Sequence, residues 1–170
     1  MSETQYIRWK AGLDIGREVE RGRAFSGSDR WTISAESVDW VQFKVPESVK
    51  VRLYSRAVST SGDPFNIDLV RADSVTDGTT EFAHACLNCV VGELPQARLF
   101  RGASSPVNPV TLEYGRIPAN RGPQSPGATQ VDGAYRILNG SVNPTLLRIE
   151  NTGNAARTVN LLFVWTEAYS

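Results

Sequence analysis

Apolar residues recur along this chain mainly at period two, which divides it into short strands separated by turn residues. From Tyr6 to Leu13, Ile7, Trp9, Ala11 and Leu13 alternate with Arg8 and Lys10, predicting a first strand with one buried face that bends or ends at Gly12 and Gly16. The segment Arg17 to Arg30 is charged and rich in Gly and Ser, and reads as a long exposed loop or a short edge strand. Trp31 to Ala35 and Val38 to Val45 are β-branched and aromatic, and Pro46 closes the second strand because it has no N–H for a ladder. Val49, Val51 and Leu53, then Phe65, Ile67 and Leu69, mark half-buried strands on either side of the turn cluster Gly62-Asp63-Pro64. Glu81 to Val91, Ala97 to Phe100, Val110 to Tyr114 and Ala134 to Leu138 are further strands. The one helical alternative is Thr80 to Val90, where Ala83, Ala85 and Leu87 would tolerate a helix.

Two stretches break or double the pattern. From Pro118 to Gly133, three prolines and three glycines leave no regular element, and residues 118–133 are expected to form an extended loop or arm. At full extension it reaches about 50 Å, enough to embrace a neighbouring subunit, which makes Pro118, Arg121, Pro123 and Pro126 candidate interface residues. The stretch Thr145 to Tyr169 reads as a β-hairpin: Leu147 and Ile149 alternate with Arg148 and Glu150, Asn151-Thr152-Gly153-Asn154 interrupts, and Val159, Leu161, Phe163 and Trp165 resume. Its second strand also carries Leu162 and Val164 on the opposite face, so either a second layer of the chain or another copy is expected to cover them. Trp40 sits with Gln42 and Lys44 opposite the apolar Val41, Phe43 and Val45, and is expected at a contact surface, while Trp9, Trp31 and Trp165 lie at core positions.

The whole reads as an all-β chain, an antiparallel β-sandwich of jelly-roll type with roughly eight to ten short strands and one long Pro/Gly-rich loop. At 170 residues, one domain spanning 1–170 is expected. Composition narrows the partners: 18 basic residues meet 18 acidic ones spread along the chain, which argues against nucleic acid. No apolar run approaches the roughly 20 residues of a helical membrane span, so no membrane partner is expected. The polar start, Ser2 to Gln5, leads us to expect a protein made in the cytosol. Lysine occurs only at Lys10, Lys44 and Lys50, the other basic residues being arginine, whose planar fork suits protein contacts; a GC-rich genome gives the same bias.

His84, Cys86 and Cys89 are the one constellation with a chemical reading. A closed zinc site needs four ligands, the chain has no further Cys or His, and on a strand residues 84 and 86 face away from 89. Core cysteines are therefore expected, with no metal and no cofactor. No nucleophile elbow, phosphate loop or dinucleotide fingerprint occurs, so the chain is not expected to be an enzyme.

Tyr135-Arg136-Ile137, the run Leu146 to Asn154 and the run Val159 to Glu167 resemble a pattern of tailed-phage virion accessory proteins. There, an Arg-Ile/Val-x-Asn strand, an Asn/Gly turn and a last aromatic strand ending in an acidic residue close a β-sandwich. Pro106 to Val110 followed by Ile117 to Gly122 is similar to a second stretch of those proteins, from which Pro118 and Ala119 depart. The resemblance implies a non-enzymatic structural protein of the virion, a bacteriophage capsid decoration or cement protein, often a homotrimer, whose partners are its own copies and the major capsid protein or another virion protein. The alternative is a ligand-binding sandwich, either a carbohydrate-binding module or a receptor-binding piece of a tail fibre.

Overall fold

The computed structural model describes residues 15–62, 64–88, 90, 93–117, 127–139 and 143–169. A short helix spans residues 15–20. The strands follow in order as β1 (Ala24–Ile33), β2 (Ser37–Lys44), β3 (Val49–Thr60), β4 (Phe65–Arg71), β5 (Ser74–Thr76), β6 (Thr80–Glu81) and β7 (Ala83–Cys86). After these come β8 (Arg98–Arg101), β9 (Ser104–Val107), β10 (Val110–Ile117), β11 (Gly127–Asn139), β12 (Thr145–Asn151) and β13 (Arg157–Tyr169). Among the described residues no helix is long and apolar enough to cross a membrane.

One sheet has the order β11-β3-β13-β1-β7 and the other β10-β4-β12-β2-β8-β6, while β5 and β9 form a separate ribbon. The first four strands run antiparallel to the last four, β1 with β13, β2 with β12, β3 with β11 and β4 with β10. That ribbon is wound until β13 also meets β3 and β12 meets β4, which is the strand order of a jelly roll. The insertion between β4 and β10 then widens both sheets at one edge, β7 joining β1 and β8 joining β2.

Alternation decides what lies between the sheets. Phe65, Ile67 and Leu69 of β4, Leu147 and Ile149 of β12, and Leu161, Phe163 and Trp165 of β13 all enter one buried cluster. Trp165 is at its centre, with Phe43 edge-on at 5.2 Å between ring centroids and Phe25 at 6.3 Å. Each such ring or branched side chain contributes about 1.5–3 kcal/mol through removal from water. Gly27 on β1 makes room chiefly for Leu99, because a Cβ there would lie 2.6 Å from Leu99 Cδ1, and it also relieves tight contacts of 3.2 Å with Trp165 Cη2 and with His84 Cδ2.

Four expectations are corrected. Arg17 to Arg30 is neither a long loop nor an edge strand: it holds the short helix and most of β1, which lies between β13 and β7. Its small polar residues belong to the outward face of β1 and to the close approach at Gly27, neither of which shows as hydrophobic alternation. Thr145 to Tyr169 is not a hairpin, since β12 and β13 lie in different sheets and the chain crosses between them at residues 152–156. Residues 127–133, assigned to the arm, belong to β11, with Gly133 inside the register shift between Asp132 and Arg136, where a bulge tolerates glycine; residues 118–126 lie outside the described residues. Glu81 to Val91 is not one strand, because the chain changes sheet at Phe82, from β6 to β7. The Tyr6 to Leu13 strand, Trp9 and Cys89 lie outside the described residues.

Candidate functional site

Leu162 and Val164 project from the outer face of the central strand β13, where Leu162 is 42% exposed and Val164 half-buried. Antiparallel register extends two rows from them across the sheet. One joins Ala83, Ser28, Leu162 and Ala57, and the other Ala85, Ser26, Val164 and Ser55. None of these eight residues is charged, whereas a solvated sheet face normally alternates charged and polar side chains with the buried ones. Across these four strands the two rows are therefore small-residue and uncharged, with two aliphatic side chains at their centre, while Arg30 and Arg52 stand in the neighbouring rows of the same face and Asp132 follows Ser55 in register on β11.

Trp40 lies on the outer face of the opposite sheet, away from Leu162. It is half-buried rather than exposed, packed against a second cluster of Val70, Ala72, Ala103 and Leu146. The segment after β4 and the one after β8 fold over this face, with Ala103 N donating to Trp40 O at 3.3 Å. Trp40 is thus largely satisfied within its own chain. The candidate contact residues are not brought to one place, and Pro118, Arg121, Pro123 and Pro126 lie outside the described residues.

His84 and Cys86 face inward from β7. The His84 side chain is 2% exposed, stands edge-on to Trp165 and accepts the Leu99 N–H at Nε2 (3.0 Å), leaving Nδ1 3.4 Å from Glu81 Oε1. Cys86 packs against the main core, its thiol 3.8 Å from Gly22 O. Among the described residues no group of three or more His, Cys, Asp or Glu is placed to hold a metal ion.

Burial pushes the His84 imidazole below its ordinary pKa, with Glu81 opposing the shift and Arg98 adding to it. Unfolding returns the ring to about 6.5, so below that pH the unfolded chain takes up a proton that the folded chain disfavours. Stability therefore falls as pH drops from about 6.5 toward the lowered folded value. Asp77, held low chiefly by its hydrogen bond from Lys44, and Glu150, held low chiefly by that from Arg148, lose their contributions only in the more acidic carboxylate range. Thermal melts of His84→Gln between about pH 7 and 5 are expected to show a flatter dependence than the wild type. An unchanged slope would assign the effect to other groups.

A concave site that hydrophobic patterning does not register lies at the end of the first sheet. It is a groove of about 340 Å³ whose lining includes Arg17, Arg21, Arg23, Lys50 and Arg52. The helix at 15–20 ends in a turn where Gly22 adopts φ 68° and its N–H donates to Val19 O at 2.9 Å, while Arg23 N donates to Glu18 O at 2.8 Å. This turn brings Arg17, Arg21 and Arg23 to the same rim as Lys50 and Arg52, which both project outward from β3. The available signal was the arginine density of residues 17–30, which a one-dimensional reading treats as solvated loop.

Set against protein-family models, curated proteins and solved structures, the chain finds no match.

Proposed function

We propose that the chain is a non-enzymatic structural protein of a virus particle, a capsid decoration or cement protein that self-associates, as a homotrimer, and binds the major capsid protein or another virion protein. The observation that carries this reading is the pair of uncharged rows around Leu162 and Val164 on the outer face. Covering what remains exposed of Leu162 is worth about 1 kcal/mol, so one side chain does not hold a complex together. The two rows of Ser and Ala around it let another surface approach closely without desolvating a charge. The jelly roll is used by viral shells, and equally by lectins and cupins, so it is compatible with the reading without selecting it. The C-terminal pattern resembling phage accessory proteins adds the virion context.

The test is Leu162→Asp, followed by analytical ultracentrifugation and circular dichroism. The wild type is expected to sediment as a trimer and the variant as a folded monomer, because the new carboxylate is costly only when another copy covers it. Unfolding of the variant would mean that its cover belongs to the same chain. A wild type that stays monomeric at high concentration overturns the self-association on which the reading depends.

A further inference from the structure

We infer that the arginine-lined groove is a docking site for an acidic segment of a partner polypeptide, one carrying Asp or Glu carboxylates together with an aliphatic side chain. The charge balance is the first argument. Among the described residues five cations line the groove with two carboxylates, Glu18 and Glu167, in a chain whose formal net charge is zero. Glu18 lies 3.1 Å from the Arg21 guanidinium, and Glu167 is 1% exposed, with its oxygens receiving the Gln96 and Ala97 N–H groups. Arg17 and Lys50 are exposed and make no ion pair among the described residues. Like charges gathered in a concave site raise the local concentration of anions and are relieved when one binds.

The lining selects among anions. Among the described residues it contains no aromatic side chain that would offer a nucleobase or a pyranose ring a stacking surface. Guanidinium groups suit carboxylates through paired, charge-assisted hydrogen bonds. Beside them Ile137 is 67% exposed, an apolar surface that an aliphatic peptide side chain would cover. Ile137 belongs to β11, the edge strand of its sheet, along which an extended segment can lie.

The position of the groove makes this inference independent of the Leu162 face: it depends on Arg17 and Lys50, at the end of the sheet, and on no self-association. The experiment is fluorescence polarisation at low ionic strength, using a labelled peptide of glutamate, glycine and leucine and its counterpart with glutamine for glutamate. The wild type is expected to bind the glutamate peptide and not the glutamine one, with binding weakening as salt is raised. Arg17→Gln combined with Lys50→Gln is expected to weaken it by at least about tenfold, while Leu162→Asp leaves it unchanged.

The site is located on the wild type by carbodiimide coupling of the peptide carboxylates to lysine. With only Lys10, Lys44 and Lys50 in the chain, the cross-link is expected at Lys50. Equal binding of the glutamine peptide, wild-type affinity in the double variant, or cross-linking at Lys44 or Lys10 in place of Lys50 overturns the inference. So does displacement of the glutamate peptide by a single-stranded oligonucleotide or a heparin fragment at concentrations where unlabelled glutamate peptide does not displace it.

Discussion

Glu167→Ala is expected to lower the free energy of unfolding by about 2–4 kcal/mol, the consequence of removing the acceptor that two buried donors and a third, part-buried one share. Glu167 is the last inward-facing residue of β13 whose side chain the structure describes. Its Oε1 receives Ala97 N at 2.9 Å and the Trp165 indole Nε1 at 3.1 Å, and its Oε2 receives Gln96 N at 3.1 Å. The carboxylate therefore ties the segment entering β8 to the strand at the centre of the core and fixes the orientation of its largest ring. Without it the Ala97 N–H and the indole N–H remain in a site with little access to water, and a cavity opens beneath them. For a chain of this size the loss corresponds to roughly 5–15 °C in melting temperature. Glu167→Gln should fall between, since the amide oxygen replaces one acceptor but its NH₂ faces donors. A melting temperature for Glu167→Ala within a degree or two of wild type would show that the donors find other partners or water.

Asn151→Ala is expected to cost a similar amount, about 2–4 kcal/mol, for a topological reason. Asn151 is fully buried at the end of β12, where the chain leaves one sheet for the other. Its Nδ2 lies 3.2 Å from Ile33 O, 3.0 Å from Ser34 O and 2.8 Å from Ala155 O, and its Oδ1 accepts from Gly153 N at 3.0 Å. One amide thus satisfies the crossing segment and the β1–β2 connection together. Around it Glu36, at φ 52°, donates its N–H to Gly153 O at 3.1 Å, and Thr152 N donates to Pro64 O at 3.2 Å. Alanine supplies neither donor nor acceptor, so both connections lose their shared anchor. Asn151→Asp separates the functions, because it retains the acceptor for Gly153 N while setting a carboxylate against three carbonyl oxygens. It should destabilise more than alanine near neutral pH. Chemical denaturation followed by tryptophan fluorescence checks both variants, and an Asn151→Asp variant more stable than Asn151→Ala would contradict this account of the amide.

The strands legible in advance were those in which apolar side chains on one face alternate with mostly polar ones on the other. Val49 to Leu53, Phe65 to Leu69 and Val38 to Val45 alternate because each strand puts successive side chains on opposite sides of its sheet, and that period survives in the sequence whatever the partner strand. The same logic failed for β1. Ser26 and Ser28 face outward and Gly27 must leave room for Leu99, so a strand internal to its sheet carries the composition of a loop. It failed again for β11, where glycine at the bulge looked like an interruption of structure.

Along the chain, then, the residues determined the all-β class, the sandwich, the core faces of its clearest strands and the doubled apolar character of β13. Only the tertiary structure decided that β12 and β13 belong to different sheets, that Trp40 is covered by its own chain, and that Arg17, Arg21 and Arg23 share a groove with Lys50 and Arg52. Alternation reports which face of a strand is buried, a property of each residue and its near neighbours. Strand partners and charge clusters depend instead on contacts between residues far apart in sequence, and a period of two is the same for every partner a strand might take.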